Sequence, residues 1–98
     1  MSLRRGEVWT LRGYPLPVLV ISGGMYNDQP APRTVLAMPV VIGEATDAWT
    51  APIGDGELAV VDRMRPYPKR DFTQQHRRVD VQALTEVDNL LFKILATD

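Results

Sequence analysis

Apolar residues in this chain gather into dense runs and then spread into a helical stripe. Pro17-Val-Leu-Val-Ile-Ser22 is preceded by Gly13-Tyr-Pro15 and closed by Gly23-Gly24. A continuous, β-branched run between turn signals is the pattern of a strand buried on both faces. Thr34-Val-Leu-Ala-Met-Pro-Val-Val-Ile42 and Leu58-Ala-Val-Val61 have the same character. Arg5 to Arg12 instead alternates, with Glu7, Trp9 and Leu11 on one face and Val8, Thr10 and Arg12 on the other. That alternation predicts a first strand, hairpin-paired with the next, with Val8 and Trp9 anchoring opposite sides.

Trp49, Ala51 and Ile53 alternate with Ala48, Thr50 and Pro52, which predicts a short strand ending in the tight turn Gly54-Asp-Gly56. Val79, Val81 and Ala83 suggest one more strand, with the basic, proline-containing segment Arg63 to Arg78 as the connection. Pro39 cannot donate to a ladder, so it belongs at an edge, at a bulge, or where its strand changes partner. Residues 23 to 33, with Pro30 and Pro32, read as an exposed loop. Thr85 with Asp88 resembles a capping box, and Val87, Leu90, Leu91, Ile94 and Leu95 follow at helical spacing. The fold class is mainly β, a β-rich α+β domain. It is drawn as a small, partly closed barrel over residues 1–98 with a C-terminal helix.

Composition narrows the chemistry. The 98 residues carry no cysteine and one histidine, which excludes disulfides, thiolate sites and multi-histidine metal clusters, and no cofactor or metal is expected. No apolar run reaches membrane-spanning length, and Met1-Ser-Leu-Arg-Arg5 leads into a strand pattern rather than a signal core. A cytoplasmic protein without membrane association is expected.

Net charge is −1, yet the charges are segregated. Glu44, Asp47, Asp55 and Glu57 occupy the middle, followed by Arg63, Arg65, Lys69, Arg70, Arg77 and Arg78, opposed there only by Asp71. Arg63, Arg65, Lys69 and Arg70 with Tyr67 and Phe72 interleaved have the makings of a single-strand-binding face: cations for phosphates, rings for bases. A solvated loop explains the same composition, and Tyr67 between Pro66 and Pro68 can also serve packing. His76, in a polar stretch, reads as a surface histidine before it reads as a general base. Glu7 and Asp62 read as structural ion-pair carboxylates. Trp9 and Trp49 read as core or dimer anchors. Gly23-Gly24 lacks the lysine and helix of a phosphate loop.

Arg5-Gly-Glu-Val-Trp9, Pro17-Val-Leu-Val-Ile-Ser22, Tyr26-Asn27, Val35-Leu-Ala-Met-Pro-Val40 and Leu58-Ala-Val-Val-Asp-Arg-Met-Arg65, in that order before an amphipathic helix, resemble the MazF/PemK toxins across nearly the whole chain. Val87-Asp-Asn-Leu-Leu-Phe-Lys-Ile94 also resembles the helix of the related CcdB gyrase poisons, without their Trp-Gly-Ile tail. The resemblance implies a homodimeric SH3-like barrel, the toxin of a type II toxin–antitoxin pair, bound by a small antitoxin. It also implies metal-independent cleavage of single-stranded RNA through the 2′-hydroxyl. The family's arginine before Pro-Val-Leu-Val and its Thr or Ser after the strand-centred proline correspond here to Leu16 and Val41. Neither can donate a hydrogen bond from its side chain. Arg33 and Thr34 are the candidates to replace them, and Arg63, Arg65, Tyr67, Lys69 and Arg70 the candidates to bind RNA. The other reading is a non-catalytic toxin scaffold that binds antitoxin, nucleic acid or gyrase.

Overall fold

Strand formation begins where the alternating and β-branched runs lie. A computed structural model of the chain describes residues 2–31, 33–44 and 47–96, so Met1 of the basic start and Pro32 of the proline loop lie outside the described residues. The strands are β1 (Glu7–Leu11), β2 (Val18–Val20), β3 (Thr34–Ile42), β4 (Thr50–Gly54), β5 (Glu57–Val60), β6 (Arg65–Pro68) and β7 (Phe72–Arg78). A single helical turn, α1 (Gly24–Asn27), follows β2, and α2 (Val81–Leu95) ends the fold. The sheet runs β4-β5-β3-β2-β1-β7, with β6 added on β3, and every pairing is antiparallel. The domain is therefore mainly β with a C-terminal helix, as the hydrophobic pattern implies.

Alternation sorts the core onto two faces. Val8, Leu19, Met38, Val40, Ile53 and Ala59 pack on one face together with Val87 of α2. Trp9, Leu11, Val18, Val20, Val35, Tyr67 and Phe72 pack on the other. β2 is thus buried on both sides, and Val8 and Trp9 do anchor opposite faces. Burying an aliphatic side chain of this size is worth about 1.5–3 kcal/mol, so strand alternation is the main source of register.

Among the described residues no ladder joins β4 to β7, and the sheet stays open. Arg77 spans that seam: its guanidinium donates to Glu57 at 2.7 and 3.0 Å and to the carbonyls of Ile53 (3.0 Å) and Gly54 (3.2 Å).

Pro39 lies where β3 exchanges neighbours. The Val40 N–H donates to the Pro17 carbonyl and the Leu36 carbonyl accepts from Ile21, so both residues face β2. By alternation, the Pro39 nitrogen faces the opposite edge. There the β6 pairing ends at Ala37 and the β5 pairing begins at Val40. The missing donor sits in that gap.

Three expectations fail between Arg63 and Leu95. The residues from Val79 to Ala83 do not form a strand: Val79 is buried coil and Val81 opens α2. Asp80 is the cap, its carboxylate accepting the Ala83 N–H at 2.8 Å, while Thr85 lies inside the helix and donates its hydroxyl to the Val81 carbonyl. The basic connection also proves to hold β6 and β7. β7 shows no apolar alternation because Thr73, Gln74, Gln75 and His76 are all exposed, and its place is set by backbone pairing to β1.

Candidate functional site

Leu36 facing β2 means that Val35 and Ala37 face β6, where they pair with Tyr67 and Arg65. Pro66 and Pro68 then turn their nitrogens away from the ladder, which is why a strand with two prolines is tolerated at this edge. Arg65 and Tyr67, two residues apart, share one face of β6. Tyr67 is core, 3% exposed. The exposed Arg65 guanidinium lies over its ring, 4.8 Å from the centroid.

Tyr14, in the turn between β1 and β2, completes the cluster. Its ring meets Tyr67 edge-on at 5.5 Å, and Arg65 lies 5.6 Å from its centroid. The Arg65 pKa is raised above its ordinary value, chiefly by side-chain hydrogen bonding to Tyr67 and then by the charge interaction with it. The group is cationic at any accessible pH. These residues, with Leu16, Pro39 and Arg63, line a groove of about 290 Å³.

A second basin of about 590 Å³ continues from the first through the shared residues Leu16, Pro39 and Arg63. Val41, Thr50, Glu44, Asp47 and Asp62 border it. The trough is therefore cationic and aromatic at one end and acidic at the other. Leu16 and Val41 both line it.

The sequence-predicted site residues divide. Arg63, Arg65 and Tyr67 meet in the first groove, whereas Lys69 and Arg70 border a separate depression with Arg33. Lys69 donates to the Gln29 carbonyl at 2.7 Å. Thr34 pairs with Pro68, three positions along β6 from Arg65 and thus about 10 Å away. Phe72 is buried edge-on against Trp9 at 6.1 Å and presents no stacking face. His76 is exposed and hydrogen-bonds Thr10 on the β1–β7 surface. Glu7 accepts from the Arg4 N–H (2.8 Å), the Trp9 indole (3.1 Å) and Arg78 (3.2 Å). Tyr14 was hidden to sequence reasoning inside a Gly-Tyr-Pro turn; an aromatic ring in so short a hairpin turn was the available signal.

The motifs behind the resemblance are mostly structural. Gly6, at φ +92°, donates to Val20 and accepts from Val79, linking the approach to β1 with β2 and the coil before α2 at a left-handed position. Asn27 donates to the Leu3 (2.8 Å) and Ser22 (2.9 Å) carbonyls, and the Ser22 hydroxyl accepts the Leu36 N–H at 3.0 Å.

An open, curled antiparallel sheet with a trough beside the first hairpin and a helix closing one core defines a small β-rich domain. No family model and no curated protein matches the sequence. Solved structures match over the whole chain. A mycobacterial endoribonuclease in complex with its cognate antitoxin is 17% identical, covering 99% of this chain and 100% of its own, with a TM-score of 0.84. The MazE–MazF complex of Deinococcus radiodurans is 22% identical, covering 100% and 99%, with a TM-score of 0.82. The Mycobacterium tuberculosis toxin MazF-mt6 is 12% identical, covering 94% and 98%, with a TM-score of 0.75. The fold of this chain is the MazF fold.

Among the described residues no helix is long and apolar enough to cross a membrane, and no group of three or more metal-ligating side chains comes together.

Proposed function

We propose that this chain is the toxin component of a type II toxin–antitoxin pair and that its trough engages single-stranded RNA. One observation carries the reading: on a MazF fold, the groove beside the first hairpin presents Arg63 and Arg65, with no carboxylate on its wall among the described residues. A polyanion held there gains charge-assisted hydrogen bonds, and Leu16, 41% exposed, gives a base or ribose an apolar surface to lie on. The homodimer and the small antitoxin partner anticipated from the sequence belong to the same reading. It is supported by solved neighbours that include an endoribonuclease with its cognate antitoxin.

Cleavage would proceed by attack of a 2′-oxygen on the adjacent phosphorus. The 2′-hydroxyl loses its proton, the 5′-oxygen leaves and takes one up, and a cyclic phosphate remains. Incubating the protein with a long unstructured RNA in excess chelator tests this. Discrete fragments with cyclic phosphate ends are the expected result; RNA that is neither cut nor bound would refute the function.

Leu16 and Val41 favour a second reading, in which the trough binds without cutting. A leucine and a valine offer no donor to a developing oxyanion. Intact RNA with salt-sensitive binding would select that reading.

A further inference from the structure

Among the described residues, Arg4, Arg5, Arg77 and Arg78 each pair with a carboxylate, while Arg65, like Arg12, Arg33, Arg63 and Arg70, pairs with none. Its guanidinium is nevertheless held. Tyr67 is fixed by the core, and Arg65 lies over its ring and within 5.6 Å of the Tyr14 centroid, both inside cation–π range. Held by its carbon near two rings and by no carboxylate, the guanidinium has donors left for a ligand, in the fork geometry that suits phosphate.

We propose that Arg65 is the phosphate-holding cation of the groove, and that Tyr14 is the positioning residue that keeps its guanidinium there. The assignment rests on the RNA reading above and deepens it, because it narrows a five-residue basic face to one anchor and its support. Lys69 is bonded to Gln29 and, with Arg33 and Arg70, borders a different depression. Those three contribute no contact in the groove. Arg63 stands where the groove meets the basin that Asp62, Glu44 and Asp47 also line, so a phosphate beside it meets those carboxylates as well. Arg65 lines only the half that, among the described residues, has no carboxylate.

The test is binding of a labelled, unstructured 2′-O-methyl RNA, which cannot be cut, measured across a salt series in chelator. Each neutralised phosphate contributes about 0.7 to the salt exponent of a single strand. Arg65→Ala is expected to weaken binding about tenfold and to lower the exponent by about 0.7. Tyr14→Phe keeps the ring and is expected to bind within about twofold of the parent. Tyr14→Ala is expected to weaken binding about threefold alone, and to have no further effect in the Arg65→Ala background. Thermal melts of each variant separate these effects from loss of fold.

If the parent binds RNA and Arg65→Ala leaves the exponent unchanged, the anchor assignment is wrong while the RNA reading stands. Equal losses for Tyr14→Ala in both backgrounds overturn the positioning role. A parent that binds no RNA at any salt overturns the function itself, and this assignment with it.

Discussion

Single residues show that the motifs behind the resemblance hold the fold together. Glu7 is buried and makes three hydrogen bonds, Gly6 takes a left-handed backbone that β-carbons resist, and Asn27 ties the α1 turn to the N-terminal segment and to β2. Each was visible as a letter, but its role needed partners distant in sequence. Asn27 is 5% exposed. Asn27→Ala would leave the Leu3 and Ser22 carbonyls without these donors, an unmet desolvation cost of about 1–3 kcal/mol. Urea denaturation should report that loss as a lower midpoint at an unchanged m-value. A loss below a few tenths of a kcal/mol would mean that water or rearrangement satisfies those groups.

Among the elements, legibility followed burial. β1 to β5 were readable because their side chains alternate or run apolar between turns, and Pro39 fell at a change of strand partner as its missing donor requires. β6 and β7 were not readable: two prolines occupy the outward nitrogens of β6, and β7 exposes most of its residues, so neither leaves an apolar period. Thr85-Glu-Val-Asp88 imitates a cap five residues inside the start of α2, while the true cap, Asp80, stands beside a false strand alternation of Val79, Val81 and Ala83. The two capping assignments differ measurably. Asp80→Ala should cost about 1 kcal/mol by removing the acceptor for the Ala83 N–H. Thr85→Ala should be nearly silent in thermal denaturation, and the reverse order would return the cap to Thr85.

On the scale of the whole molecule, the sheet curls without closing, Arg77 bridges its open seam, and the turn between β1 and β2 is brought against β6. That approach creates the trough. Sequence reasoning grouped Arg63, Arg65, Tyr67, Lys69 and Arg70 by proximity along the chain, but the 3-10 turn at Lys69–Asp71 carries the last two away from the groove, and tertiary contact adds Tyr14. The positions of Leu16 and Val41 were legible as departures from the family pattern. Their place on one trough, with Arg65 of β6 lining the end that Leu16 shares, was not.

Photo-cross-linking of 4-thiouridine RNA to the protein, followed by peptide mapping, tests most directly whether this trough is where RNA goes. Cross-links concentrated at Tyr14 to Leu16 and Arg63 to Tyr67 are the predicted result. Cross-links confined to Arg33, Lys69 and Arg70, or to the exposed face of β7, would contradict it.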